Sequence, residues 1–162
     1  MPGDATDVNY ARAFFRQAEH DLRCATSLHG AGELAGCVLH CQHAVEKAFK
    51  SVLYLLHGRD MFTRARPTHE EWATIRTSAR GLTQELRDAG LEARIMALEE
   101  LLPPRPSVFD QRNSEYPYEP PGATGPVAPG DPGVFTPAEA DQYLDTARRL
   151  LDIVRARYQR LA

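Results

Sequence analysis

Apolar side chains recur every three or four residues between Glu33 and Leu56, the spacing that places them on one face of an α-helix. The same spacing recurs over residues 7–29 and 136–161. No segment alternates apolar and polar residues with the period of a strand, and no internal repeat is visible. We therefore predict an all-α protein, an up-down bundle of about five helices in which shorter helices lie between the second and the last long one.

The helix ends are marked by capping and breaking residues. Gly30 and Gly58 follow the first two long helices, and we expect a helix to about Ala79, with breaks near Arg80-Gly81 and at Gly90. The last helix has the clearest start, because Thr136, Pro137 and Glu139 form the pattern of a capping box with proline in the first turn.

Residues 103–135 contain nine of the twelve prolines and four glycines, which excludes a helix there. We expect one domain over 1–162, with a main bundle at 7–102, this long loop, and a closing helix at 136–161. The second half of the loop, 122–133, has little to anchor it. The first half has apolar side chains that can dock on the bundle: Val108, Phe109, Tyr116 and Tyr118.

The composition is that of a soluble globular protein, with 43% hydrophobic and 25% charged residues. A net charge of −3 disfavours a broad polyanion-binding surface and leaves room only for a local basic patch. Three cysteines lie within helical apolar patterns and no signal peptide is visible, so we expect reduced thiols in a cytoplasmic protein. No apolar run approaches the roughly 20 residues of a membrane-spanning helix.

A polar stripe runs along the second helix, opposite its apolar face: His40, His43, Lys47, Lys50 and Tyr54. One interpretation is a contact with a phosphate or nucleotide through His43, Lys47 and Lys50, since ammonium and imidazole groups donate to phosphate oxygens. The other is a helix surface that faces solvent or a second copy of the chain.

A metal centre is the third interpretation of this helix. Cys37 and Cys41 share the apolar face, whereas His40 and His43 point elsewhere, so one ion cannot reach all four. Lys47, one turn beyond His43, also opposes a cation. We predict no metal site and no cofactor, because no phosphate-binding glycine loop or paired-carboxylate motif is present either.

The run Gln42-His43-Ala44-Val45-Glu46-Lys47-Ala48-Phe49-Lys50 resembles the second-helix signature of the HEPN domain family. The Asp21-Leu22 pair in the first helix and Tyr116-Pro117 before the last helix resemble further elements of the family. The resemblance implies a small helical domain that forms a homodimer, binds a nucleotide or RNA, and works with a nucleotidyltransferase partner, as in toxin–antitoxin systems.

Ribonuclease members of the family carry an Arg-x4-6-His motif near the start of a late helix. This chain has no histidine after His69. The spacing from Arg64 to His69 fits the motif but lies earlier than in the family, and Arg112 and Tyr116 are the other catalytic candidates.

We therefore predict a non-catalytic module that binds a nucleotide, a nucleic acid or a partner protein. The alternative is a metal-independent ribonuclease of the toxin type with a non-standard Arg/His or Tyr site. A third reading makes the 103–135 loop a docking segment for another protein.

Overall fold

The computed structural model describes residues 5–58, 71–101 and 111–161. These residues form six helices and no strand, which confirms the prediction of an all-α bundle with three long helices. The helices are α1 (Ala5–Gly30), α2 (Leu34–His57), α3 (Glu71–Ser78), α4 (Arg80–Asp88), α5 (Glu92–Glu100) and α6 (Pro137–Leu161).

The first two helices form an antiparallel hairpin. Only three residues separate Gly30 from Leu34, and Gly32 supplies the positive φ of 79° that this tight turn needs. Small side chains at the contact, including Ala18 and Ala25 of α1 and Ala44 and Ala48 of α2, are fully buried. Their size lets the two helices pack closely, so that polar groups along the edge of the contact also meet.

The last helix closes the core against α1 and α2. Its apolar face, with Ala147, Leu150, Leu151 and Val154, has no exposed surface. The predicted capping box is confirmed: the backbone N–H of Glu139 donates to the Thr136 hydroxyl at 3.2 Å, and the Thr136 N–H donates to the Glu139 carboxylate at 2.9 Å.

The break between α3 and α4 lies at Ala79, one or two residues before Arg80-Gly81, near which it was predicted. Ala79 has non-helical angles and Gly81 is part of α4. Gly81 is explained by packing, because a Cβ at that position would lie 2.6 Å from the guanidinium of Arg157. The glycine leaves room beside α4 for the guanidinium of Arg157.

The segment 111–135 is anchored in both halves, so the prediction that 122–133 has little to hold it is wrong. Tyr118 and Val127 exchange two backbone hydrogen bonds of 3.0 and 2.8 Å, and Val127 packs partly against the core.

Tyr118 docks on the bundle, as predicted, with 7% exposure. Tyr116 does not dock and is 36% exposed, because it follows a turn closed by the Asn113 side chain. Val108 and Phe109 lie outside the described residues.

Candidate functional site

One polar cluster joins the middle of α1 to the middle of α2. His40, His43 and Lys47 lie three, four and seven residues apart, so they form one stripe of α2. The antiparallel hairpin places Asp21 of α1 opposite this stripe. We call these four residues the Asp21 cluster.

Asp21 is the centre of the cluster. Its side chain is 4% exposed, and Lys47 Nζ donates to its Oδ2 at 2.6 Å while His40 Nδ1 donates to its Oδ1 at 3.0 Å. Gln17 Nε2 adds a longer contact of 3.4 Å. Both carboxylate oxygens therefore have partners, as a buried charge requires.

These contacts keep Asp21 ionised. Burial by itself raises the pKa of a carboxyl group, but the hydrogen bonds from Lys47 and His40 outweigh it and hold the pKa of Asp21 below its ordinary value. An ionised carboxylate only accepts hydrogen bonds, so His40 must carry its proton on Nδ1. The Nε2 atom of His40 is then the one left for a ligand, on a side chain that is 31% exposed.

His43 is the member of the cluster that is not used by the fold. Its ring lies edge-on to His40 with 5.9 Å between centroids, and within the described part of the chain it makes no hydrogen bond. Burial lowers the pKa of His43, and the nearby Lys47 ammonium lowers it further. At neutral pH the imidazole of His43 is therefore uncharged, with one nitrogen that donates and one that accepts.

The predicted polar stripe of α2 divides between two neighbours. Lys47 turns toward α1, whereas Lys50 turns toward α3, where its ammonium contacts Glu46 and lies 3.7 Å from Glu71. Glu46 and Lys50, four residues apart on α2, thus form an ion pair. Lys50 is 15% exposed and the two carboxylates already surround its charge.

Tyr54, the last residue of that stripe, belongs to an aromatic group. Its ring stacks on Tyr10 with 5.7 Å between centroids and on Phe14 with 5.3 Å. Tyr10 is 50% exposed, so this group, Tyr10, Phe14 and Tyr54, forms an aromatic surface at the end of the hairpin where α1 begins and α2 ends.

Gln42 of the second-helix signature has a structural role that was not predicted from the sequence. Its side chain is buried, donates from Nε2 to the carbonyl of Leu98 at 2.7 Å, and accepts a short hydrogen bond from the Ser114 hydroxyl. It thereby links α2 to α5 and to the loop before α6. A glutamine within an apolar stripe was the signal that could have identified it.

Asp21, His40 and His43 also have the arrangement of a metal site, since one ligand atom from each lies within 4.8 Å of the others. The metal site weighed from the sequence combined the two histidines with Cys37 and Cys41 and did not include Asp21. Those two thiols lie in the core. Lys47 occupies one oxygen of Asp21, so a cation would have to displace an ammonium group that lies 2.6 Å away. The Lys47 ammonium therefore opposes a cation at this position.

The catalytic candidates near the last helix have structural contacts. Arg112 donates to the carbonyl of Val134 at 3.0 Å and to the carboxylate of Glu139 at 2.8 Å, and its guanidinium lies over the ring of Phe135. It thus fixes the loop to the start of α6. Arg64 and His69 lie outside the described residues.

Arg112 also lines a cavity of about 520 Å³ between α5, α6 and the loop. The described residues that line it include no histidine and not Tyr116: they are Ala97, Glu100, Leu101, Gln111, Arg112 and Tyr143.

The fold and the buried Asp21 cluster define a small helical-bundle protein with a polar site between its first two helices. The HEPN domain family model matches residues 11–101, just over half of the chain, and the chain belongs to this family. No curated protein and no solved structure matches it. Among the described helices, none combines the length and apolar character needed to cross a membrane.

Proposed function

We propose that this HEPN-domain protein is a binding module that recognises the phosphate group of a nucleotide or of single-stranded nucleic acid at the Asp21 cluster. The observation that carries the proposal is His43, a partly exposed, uncharged imidazole without a hydrogen bond among the described residues, between His40 and Lys47. Ligand sites contain a small number of polar groups that fix the orientation of the ligand, and His43 is available for that role.

Two donors beside each other lie on this stripe of α2. Neutral His43 can donate from one ring nitrogen, and the Lys47 ammonium uses one of its three donors on Asp21. The Nε2 atom of His40 donates to a phosphate only when the ring is protonated. Charge-assisted hydrogen bonds to phosphate oxygens are stronger than neutral ones. The proposal does not use Lys50, whose charge is surrounded by Glu46 and Glu71.

The aromatic group supports a ligand that carries a base. Tyr54 lies seven residues beyond Lys47, which is about 10 Å along a helix axis at 1.5 Å per residue. A nucleotide whose phosphate lies at Lys47 can therefore place its base near Tyr10 and Tyr54. Stacking of bases on aromatic rings is a general way of binding single strands.

A fluorescence-anisotropy titration tests the proposal. The probe is a fluorescein-labelled, 2′-O-methylated 12-nucleotide RNA of mixed sequence. We expect saturable binding that weakens with salt, and a loss of affinity of roughly 10- to 100-fold in Lys47→Met and in His43→Ala. Lys50→Met is the matched control on the same helix. Equal affinity in the wild type, Lys47→Met and His43→Ala would overturn the proposal.

We also propose that the protein is a homodimer, with Leu56 and not the aromatic group in the interface. Leu56 is 41% exposed near the end of α2. Light scattering after size exclusion should give twice the chain mass, and Leu56→Lys should give a single chain mass. A monomeric wild type would contradict this part.

We propose three further properties: a nucleotidyltransferase partner, a place in a toxin–antitoxin system and a cytoplasmic location. The family resemblance supports the first two, and the unpaired thiols of Cys24, Cys37 and Cys41 fit a reducing compartment. Co-purification of a nucleotidyltransferase encoded beside this chain tests the partnership.

A further inference from the structure

A second pocket lies away from the Asp21 cluster, in the cavity of about 520 Å³ between α5, α6 and the loop before α6. Its volume is in the range of pockets that hold small molecules, roughly 300–1,000 Å³. The apolar part of its wall comes from Ala97, Leu101 and the ring of Tyr143. An apolar wall with a few polar groups around it is the usual composition of a small-molecule site.

Tyr143 carries a buried hydroxyl group that the fold leaves without a partner. The residue is 8% exposed, yet its hydroxyl makes no hydrogen bond within the described part of the chain. Burial raises the pKa of Tyr143, Arg112 lowers it, and Glu139 and Glu100 raise it further. The hydroxyl therefore lies near the charged groups of the cavity and is protonated at neutral pH. A buried O–H without a partner costs free energy, which a hydrogen-bond acceptor on a ligand would offset.

Arg112 has donors left for the same cavity. Its Nη1 atom donates to the Val134 carbonyl and to Glu139. The guanidinium also lies over the ring of Phe135, with 5.1 Å to the centroid, so its plane is fixed. The Nε and Nη2 atoms make no hydrogen bond among the described residues. A guanidinium held in this way suits a carboxylate, which accepts two parallel hydrogen bonds.

Glu100, the last residue of α5, supplies a negative charge to the cavity. It makes no ion pair or hydrogen bond within the described part of the chain, and the last turn of α5 has no basic residue. The C-terminal end of a helix carries a partial negative charge, so a carboxylate is unfavourable there and a cation is favourable. An ammonium group beside Glu100 would interact with both the carboxylate and the end of the helix.

We propose that this cavity binds the zwitterion of a free α-amino acid with an apolar side chain. The carboxylate of the ligand accepts hydrogen bonds from Arg112 and from the Tyr143 hydroxyl, and its ammonium group contacts Glu100. The side chain of the ligand lies on the apolar wall. A simple anion would meet Glu100 and Glu139, and a simple cation would meet Arg112, so the charges favour a ligand that carries both signs.

Isothermal titration calorimetry with the full chain and three probes tests this inference. The probes are L-leucine, isocaproate, which is leucine without its amino group, and isopentylamine, which is leucine without its carboxylate. We expect saturable binding of L-leucine. The two analogues should bind at least about 10-fold more weakly, because each lacks one of the charged contacts.

Variants of two lining residues assign the binding to this cavity. Tyr143→Phe removes only the hydroxyl and should weaken leucine binding roughly 10-fold, and Glu100→Gln should weaken it by a similar factor. Both changes preserve the size of the side chain, and urea unfolding checks that each variant folds. The control is Glu115→Gln, which changes an exposed carboxylate of the loop that does not line the cavity and should leave the affinity unchanged.

No heat of binding with L-leucine up to about 10 mM would overturn the inference. Binding that is unchanged in both Tyr143→Phe and Glu100→Gln would do the same, as would either analogue binding as tightly as leucine. RNA binding at the Asp21 cluster is measured separately, so each of the two proposals can fail while the other stands.

Discussion

The ammonium group of Lys47 lies 2.6 Å from a carboxylate oxygen of Asp21, a contact that joins two parts of the family signature 26 residues apart. Asp21 is almost fully buried, whereas Lys47 keeps 24% of its side chain exposed. The carboxylate therefore belongs to the fold, and the lysine has both a structural contact and a surface toward solvent. The same contact brings the two histidines of α2 beside a buried charge.

Lys47→Met should destabilise the protein, because it leaves one oxygen of buried Asp21 without its partner. We expect the free energy of unfolding to fall by about 1.5–3 kcal/mol, the range for a hydrogen bond to a charged group. Urea unfolding of Lys47→Met, Asp21→Asn and the double variant measures the coupling. Additive effects of the two changes would show that the contact does not contribute.

Gln42→Leu should also destabilise the fold, since it leaves the Leu98 carbonyl and the Ser114 hydroxyl buried without this partner. The expected loss is about 1–3 kcal/mol in urea unfolding. Gln84→Leu, at an exposed position of α4, is the control and should change stability by less than about 0.5 kcal/mol. An equal fall in the free energy of unfolding in the two variants would contradict the structural role of Gln42.

Protonation of His43 should lower stability in weak acid. Its pKa is lowered in the folded state from an ordinary value of 6.5, so the unfolded chain binds more protons as the pH falls through that value. The stabilisation is present above pH 6.5 and is lost as the pH falls toward the folded-state pKa. Burial and the charges of Lys47 and His40 cause the shift, and Asp21 and Glu46 partly offset it.

We therefore expect the wild type to lose more stability than His43→Gln between about pH 7.5 and 5.5, as measured by urea unfolding. If the free energy of unfolding changed equally with pH in the two proteins over this range, His43 would titrate in the folded protein as it does in the unfolded chain.

Arg112→Ala should weaken the attachment of the loop to α6 and leave ligand binding at the Asp21 cluster unchanged. The guanidinium contacts Glu139 and the Val134 carbonyl on a partly exposed surface, so we expect a loss of about 1 kcal/mol. Arg94→Ala, which removes an exposed pair with Asp145, should cost less. Loss of RNA binding in Arg112→Ala would contradict this expectation and would indicate a functional role for Arg112.

Periodicity and capping predicted most of the fold, since they depend on local spacing. The α1–α2 hairpin, the start of α6 at Thr136-Pro137 and the buried face of α2 follow from side chains a few residues apart. The break near Arg80-Gly81 lies at Ala79, and Gly81 is inside α4, where it faces the guanidinium of the distant Arg157. The anchor of the loop at Val127 depends likewise on its pairing with Tyr118.

The candidate site was predicted only in part, because it also depends on contacts between residues that are distant in the sequence. His43 and Lys47 stood out on one helix, and their stripe is present. Asp21 was visible only as part of a family resemblance, because its partners lie on another helix. Lys50 could not be separated from Lys47 by spacing alone, since the neighbour that each lysine meets is decided by the packing of α1 and α3.

The most direct test of the Asp21 cluster as a phosphate site is proton NMR of the six histidines during a titration with uridine monophosphate. Single substitutions assign the ring resonances. The account predicts saturable shifts of the His40 and His43 resonances, with those of His29 and His57 unchanged. Shifts that spare both His40 and His43 while the nucleotide binds elsewhere, or no shift at all, would contradict it.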